Sequence, residues 1–249
     1  MKLLLLSAAV AAAALLSGCG ENSAAEAMDR GIRRASNGDW RGARKYSLRA
    51  IELEPENPDA LVFHAIVCDR LGEYDPALDA ARRAVERAPE SFVANYLVGK
   101  LYSETPERSA QALVSLHKAV RLAPENTNAR ICLVNAAMKL KTPQAENYIN
   151  QLRRMPGFEN SPELLNQLGV ISFRKGDFKT ARGFFIAAFR NDPERRRPAI
   201  LFNIAADFDR EPAMRSKAEA FYREFLRLAS GGSELAAAVK YAGTRLNGR

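Results

Sequence analysis

Side chains that could carry acid–base, nucleophilic or metal chemistry are few in this chain of 249 residues, which has two histidines and three cysteines. His64 and His117 stand far apart, with no second His or Cys at metal-ligand spacing beside either. No zinc-protease helix motif and no glycine-rich phosphate loop occurs. Glu52-Leu53-Glu54 and Asp207-Phe208-Asp209 do pair carboxylates, as acid–base hydrolysis requires. Both pairs fall at expected helix ends and turns, where capping and solvation account for them and no apolar cleft raises one pKa above the other. The reading is therefore non-enzymatic, without metal or diffusible cofactor. The composition, 47% hydrophobic and 27% charged, is that of a foldable chain and argues against disorder and against a disulfide-dense mini-protein.

The third cysteine has a different context. Lys2 and the apolar run Leu3 to Leu16 read as a secretory leader too short to span a bilayer comfortably. The run closes in Leu16-Ser17-Gly18-Cys19, which resembles the lipobox of bacterial lipoproteins. That resemblance implies removal of residues 1–18 as a signal peptide and a diacylglycerol on the Cys19 thiol, with or without an N-acyl chain; residues 19–23 are then a lipidated linker. Two or three acyl chains hold a protein on a membrane far better than one. Gly20, rather than an aspartate, follows the cysteine. By the same resemblance the outer membrane is favoured, facing the periplasm, with the periplasmic face of the inner membrane as the alternative.

The elements that carry everything else recur along the chain. Pro55, Pro89 and Pro124 close three segments spaced 34 and then 35 residues apart, each reading as helix, turn, helix. Leu71-Gly72-Glu73-Tyr74, Ala77, Ala84 and Pro89 in one segment match Gly176-Asp177-Phe178, Ala181, Phe185, Ala188 and Pro193 in another, where Leu168-Gly169 precedes the turn. Small residues at Gly99, Gly169, Ala77 and Ala181 let two helices approach closely, and Gly38, Gly72 and Gly176 are expected to stop first helices in the left-handed conformation. Trp40, Tyr74 and Phe178 then pack into the seam, and the prolines end second helices. The pattern resembles the tetratricopeptide repeat, whose period is about 34 residues. It implies an all-α, right-handed superhelical α-solenoid over residues 24–230, with repeats at 24–57, 58–91, 92–126, 127–160, 162–195 and 196–230. The exact register of repeats four and six stays open. Residues 231–249 follow as a capping helix that Ser233 can start. Cys68 and Cys132 fall in different repeats with a whole repeat between them, so two free, buried thiols are expected rather than a disulfide.

In tetratricopeptide proteins the first helices line a concave groove that takes an extended peptide or a partner helix. Carried onto this chain, the resemblance gives Val62, Ile66 and Arg70; Tyr96 and Lys100; Ile131, Asn135 and Lys139; Asn166, Val170 and Arg174; and Ile200 and Ile204. The clamp for C-terminal carboxylates is excluded, because Ile131 stands where that clamp needs a lysine. The expected function is a non-enzymatic interaction scaffold or assembly factor, lipid-anchored to a bacterial envelope. In length, lipobox and repeat layout it also resembles pilotin lipoproteins, which help secretin rings assemble. A cell-wall enzyme or its accessory subunit is a weaker alternative, since no stretch outside the repeats is left for a catalytic domain. The formal charge of +8 is unevenly placed: residues 19–126 carry 15 basic and 17 acidic side chains, residues 127–249 carry 21 and 12. An acidic protein partner is expected for the basic half, and nucleic acid is not, given export.

Overall fold

The computed structural model of the chain describes residues 23–229 and 235–247. The leader, Cys19, the Gly231-Gly232 break and the Ser233 cap lie outside the described residues. Among the described residues the chain is all-α, with 13 α-helices, and it divides into two compact units, Met1–Lys141 and Thr142–Arg249.

The first unit comprises α1 (Ala24–Ser36), α2 (Trp40–Leu53), α3 (Pro58–Leu71), α4 (Tyr74–Arg87), α5 (Phe92–Glu104), α6 (Ser109–Leu122) and α7 (Thr127–Lys139). Local chemistry explains the starts and stops. Ser23, Asn57, Ser91 and Asn126 cap the first helices of their pairs by accepting backbone N–H bonds one turn in. Gly72 ends α3 at φ 75°, where a side chain would be strained, and α2, α4 and α6 stop just short of Pro55, Pro89 and Pro124. The core between α3, α4 and α5 is built from Leu61, Ala65, Ala77, Leu78, Ala81, Leu97 and Leu101. The odd-numbered helices α1, α3, α5 and α7 neighbour one another in that order, so each first helix packs on its own partner and on the next first helix.

The second unit comprises α8 (Ala145–Arg153), α9 (Pro162–Arg174), α10 (Phe178–Arg190), α11 (Pro198–Phe208), α12 (Arg215–Leu228) and α13 (Ala236–Asn247). Its core is aromatic where that of the first unit is aliphatic: Phe185 fills the α9–α10 seam, and Tyr222 and Phe225 of α12 lie buried with Phe202 against them. α13 covers this end with Ala242, Val239 and Leu246 and presents Lys240, Thr244 and Arg245 to solvent, the polar outer face that a terminal helix needs.

The interval 127–160 is not one structural piece. The boundary between the units falls at Lys141 and Thr142 inside it, so α7 belongs to the first unit and α8 to the second. Here Lys141 adopts φ 55° without being glycine, and α8 has only 9 residues. The sequence Lys141-Thr142-Pro143 lacks the residue that makes the turn cheap elsewhere.

Close helix contact is the tightest constraint. A Cβ placed on Gly99 would lie 2.6 Å from the Leu116 side chain and 3.0 Å from its backbone nitrogen, whereas one on Gly183 would meet nothing within 4 Å. Gly99→Ala is therefore expected to destabilise by about 1–3 kcal/mol. Gly183→Ala, in the exposed interior of α10, should stabilise by about 0.5–1 kcal/mol. Urea unfolding of the two variants checks both signs.

Candidate functional site

The first-helix face of the first unit brings together most of the residues expected there. Ile66 and Ile131 are half-buried, Asn135 is exposed, and Arg70 is exposed with its guanidinium 5.3 Å above the Trp40 ring. Tyr96 stacks on Phe92 at 5.9 Å. Burial pushes the Tyr96 phenol up to about 12, with the neighbouring Cys132 adding to the shift. Lys100 reaches back to Asp69 on α3, with its Nζ 2.5 and 2.6 Å from the two carboxylate oxygens. Lys139 donates to the Ser103 carbonyl of α5 at 2.7 Å. These bonds run between successive first helices and hold the face in register.

In the second unit Asn166 accepts from the Asn203 amide at 2.8 Å, Val170 packs half-buried on the Phe185 cluster, and Arg174 is exposed. Arg70, Lys139 and Arg174 thus occupy the same place, the last turn of a first helix, where a cation also complements the helix dipole.

Three expected lining residues are core instead. Val62 is 5% exposed within the α3–α5 cluster, and Ile200 and Ile204 are each 2% exposed in the α9–α11 cluster. For the two isoleucines the reason is register. Pro162 opens α9 and Pro198 opens α11, 36 residues later, because Asn191–Arg197 adds length before the helix. Ile200 and Ile204 therefore correspond to Leu164 and Leu168, which are buried, and the residues matching Asn166 and Val170 are Phe202 and Ala206, both half-buried. Phe202, with Tyr241 edge-on at 5.9 Å and Asn203 beside it, was missed for that reason; the paired prolines were the signal that could have found it.

The two remaining thiols are free, as expected; Cys68 is buried, whereas Cys132 is only half-buried. Cys68 belongs to a sealed trio. Ser47 donates to the Arg44 carbonyl at 3.0 Å, so at 2.9 Å it accepts from His64 Nδ1, leaving Nε2 to accept the Cys68 S–H at 3.4 Å. Desolvation pushes the Cys68 thiol up to about 12 and His64 below its usual range. That is the reverse of nucleophile activation, in which a thiol is lowered toward thiolate.

Residues 28–92 match the tetratricopeptide repeat family. Protein CTR9 homolog of Arabidopsis thaliana is 26% identical over 153 residues, 59% of this chain; the chain spans 14% of that protein's length. Similar solved structures include PilF of Pseudomonas aeruginosa, with a TM-score of 0.63, 18% identity, and coverage of 88% of this chain and 97% of that one. MamA from Desulfovibrio magneticus RS-1 gives a TM-score of 0.61 at 20% identity, covering 72% of this chain and all of that one. YrrB, described as a TPR protein with an unusual peptide-binding site, gives 0.59 at 23% identity, covering 78% and 97%.

The trio has a pH signature. Because His64 binds its proton less readily in the fold than its ordinary value of 6.5, the unfolded chain takes up the proton first on acidification. The stability it contributes is full above that value and is lost as pH falls below it. Urea midpoints at about pH 7.5 and about pH 5.5 should drop less for His64→Gln than for the parent chain.

Proposed function

We propose that this stack of tetratricopeptide-repeat helix pairs is a lipid-anchored scaffold that captures a partner peptide or helix on its first-helix faces. The fold is that of a protein-interaction scaffold. The observation that carries the finer reading is the face of the first unit, where half-buried Ile66, Tyr96 and Ile131 offer contact area beside exposed Asn135. An asparagine amide donates and accepts at once, matching a peptide backbone, and Lys139, one turn further along α7, and Arg70, at the same place on α3, add positive charge suited to acidic side chains. The bonds from Lys100 to Asp69 and from Lys139 to Ser103 pre-organise this face, which lowers the ordering cost of binding. That YrrB is described as having a peptide-binding site supports a peptide ligand on a fold of this kind.

The anchor rests on the sequence Leu16-Ser17-Gly18-Cys19. With acylation at Cys19 the first helix begins at Ala24, so the linker reaches about 17 Å at most and keeps the array close to the envelope membrane. A pilotin-like role in secretin or pilus assembly is the second reading, favoured by the fold-level match to PilF over 88% of this chain.

Asn135→Glu should abolish capture of the partner from membranes by the first unit's face, and Asn166→Glu should weaken it at the second, with helicity by circular dichroism unchanged. Undiminished capture by the double variant would remove the first-helix faces from the mechanism. Capture should also fall steeply with added salt, as an acidic partner requires. Cys19→Ser should move the protein from the membrane fraction to the soluble one and abolish metabolic labelling with palmitate; retained labelling would overturn the anchor.

A further inference from the structure

The helices α3, α5 and α7 begin alike, on caps supplied by Asn57, Ser91 and Asn126, so residues at equal distances from those caps correspond on neighbouring first helices. The thirteenth residue after each cap is Arg70 on α3, Glu104 on α5 and Lys139 on α7, all three exposed in the last turn. Across the stack the row reads plus, minus, plus. Complementing the helix dipole explains a cation at this place and leaves the glutamate unexplained, because a carboxylate at a helix C-terminus has the unfavourable sign.

The three charges are not cancelled from within. Among the described residues neither Arg70 nor Lys139 forms an ion pair: Arg70 lies over the Trp40 ring, and Lys139 donates to the neutral Ser103 carbonyl. Glu104 has one cation in reach, Lys100 at 3.7 Å. Lys100, however, is held at 2.5 and 2.6 Å by the two oxygens of Asp69, so its charge is already matched. The Glu104 side chain stays 51% exposed.

Packed helices lie about 8–10 Å apart. A polyproline II segment advances about 3.1 Å per residue with three residues per turn, so every third side chain points the same way at intervals of about 9 Å. A β-strand returns to the same face after about 7 Å, and an α-helix needs seven residues to cover about 10 Å along one face. A helical ligand also bonds its own backbone groups, which leaves the exposed Asn135 amide nothing of the backbone to match.

Resting on the reading of this face as a peptide-binding surface, we propose that the first unit selects an extended, polyproline-type segment by charge register: an acidic, a basic and an acidic residue at three-residue intervals, set against Arg70, Glu104 and Lys139. Glu104 is the specificity-determining residue, since it repels the middle of an acidic run that Arg70 and Lys139 alone would accept. Apolar residues at the intervening positions meet half-buried Ile66, Tyr96 and Ile131.

The test uses the full chain carrying Cys19→Ser and two fluorescently labelled peptides without terminal charges. One is Glu-Pro-Leu-Lys-Pro-Leu-Glu; the other, Glu-Pro-Leu-Glu-Pro-Leu-Lys, has the same composition and net charge. By anisotropy at low salt the first should bind about tenfold more tightly, because in either chain direction the second turns two of three attractions into repulsions. Glu104→Lys, at an exposed site where the helix dipole favours a cation, should erase the difference, since each peptide then makes two attractions and one repulsion. Equal binding of the two by the parent chain, a preference that survives Glu104→Lys, or no saturable binding of either peptide overturns the charge register. Discrimination by charge order only in a helical peptide with seven-residue spacing overturns it in favour of a partner helix. Asn135→Glu reads the face separately: if the parent chain does not discriminate and this variant still weakens both peptides, the register alone falls, and if it changes neither, the peptide-binding face falls with it.

Discussion

The contact on which the rest of the structure depends is the one between the two helices of a pair, where a residue with little or no side chain on the first helix receives a large one from the second. At Gly99 the guest is Leu116, and at Gly169 it is Phe185. The same closeness appears between pairs, where Gly31 of α1 receives the Phe63 ring of α3. A pair built this way is thin, and each of its helices keeps an apolar stripe that its partner cannot cover. Stacking buries that stripe, which is why Leu61, Leu97 and Leu101 of successive first helices share one cluster. The exposed parts of the first helices are what stacking leaves over. The proposed use of these faces in binding would draw on the rigidity beneath them.

Polar bonds then set the register between pairs. Arg44 with Glu73, Glu146 with Lys175 and Arg182 with Glu211 each join a second helix to the turn of the following pair, and each spans 29 residues. The sign reverses in the middle example while the spacing holds, so the position matters more than which side carries the positive charge. Pairs as exposed as Arg44 with Glu73 contribute little, because solvent screens them. Arg182 differs, because it also holds Asp207, a carboxylate that is 1% exposed, and a buried charge stripped of its partner costs about 3–5 kcal/mol. Register is thus specified cheaply at the surface and firmly at one buried place in the second unit.

Much of this was legible because the informative residues act locally. Gly72 and Gly176 lie in the left-handed region, at φ 75° and 81°, as turn chemistry requires, and the helix starts at Pro58 and Pro162 follow from a fixed proline φ and a capping residue just before it. What was not legible depends on distance. The place of Ile200 and Ile204 could not be counted forward from α9 because Asn191–Arg197 inserts a loop in which Asp192 is buried and bonds the backbone N–H groups of Arg196 and Arg197. Nothing in the spacing alone reveals that an aspartate will turn inward there. Val62 follows the repeat register and still belongs to the core, since burial at that position is decided by packing against Leu97 and Val98 from α5 rather than by its own helix. The division at Lys141 has a clearer trace, the missing glycine.

Charge shows the same gap between a count and an arrangement. The basic excess of residues 127–249 suggests a broad positive surface, yet Lys175, Arg182, Arg197, Arg223, Arg227 and Arg245 all engage carboxylates of the same unit. Lys175, Arg182, Arg197 and Arg245 tie one element to another and Arg223 and Arg227 pair within α12, so a partner would have to break an existing pair to use any of them. Positive charge that recurs on the first-helix face is confined to one position, the end of a first helix, in Arg70, Lys139 and Arg174. A ligand lying across the first helices of the unit formed by α1 to α7 would therefore meet cations at one edge of its path and half-buried apolar groups along the middle. On the proposed function, such an arrangement would favour a segment with acidic residues on one side and apolar residues on the other, which is a more restrictive requirement than net charge alone would impose.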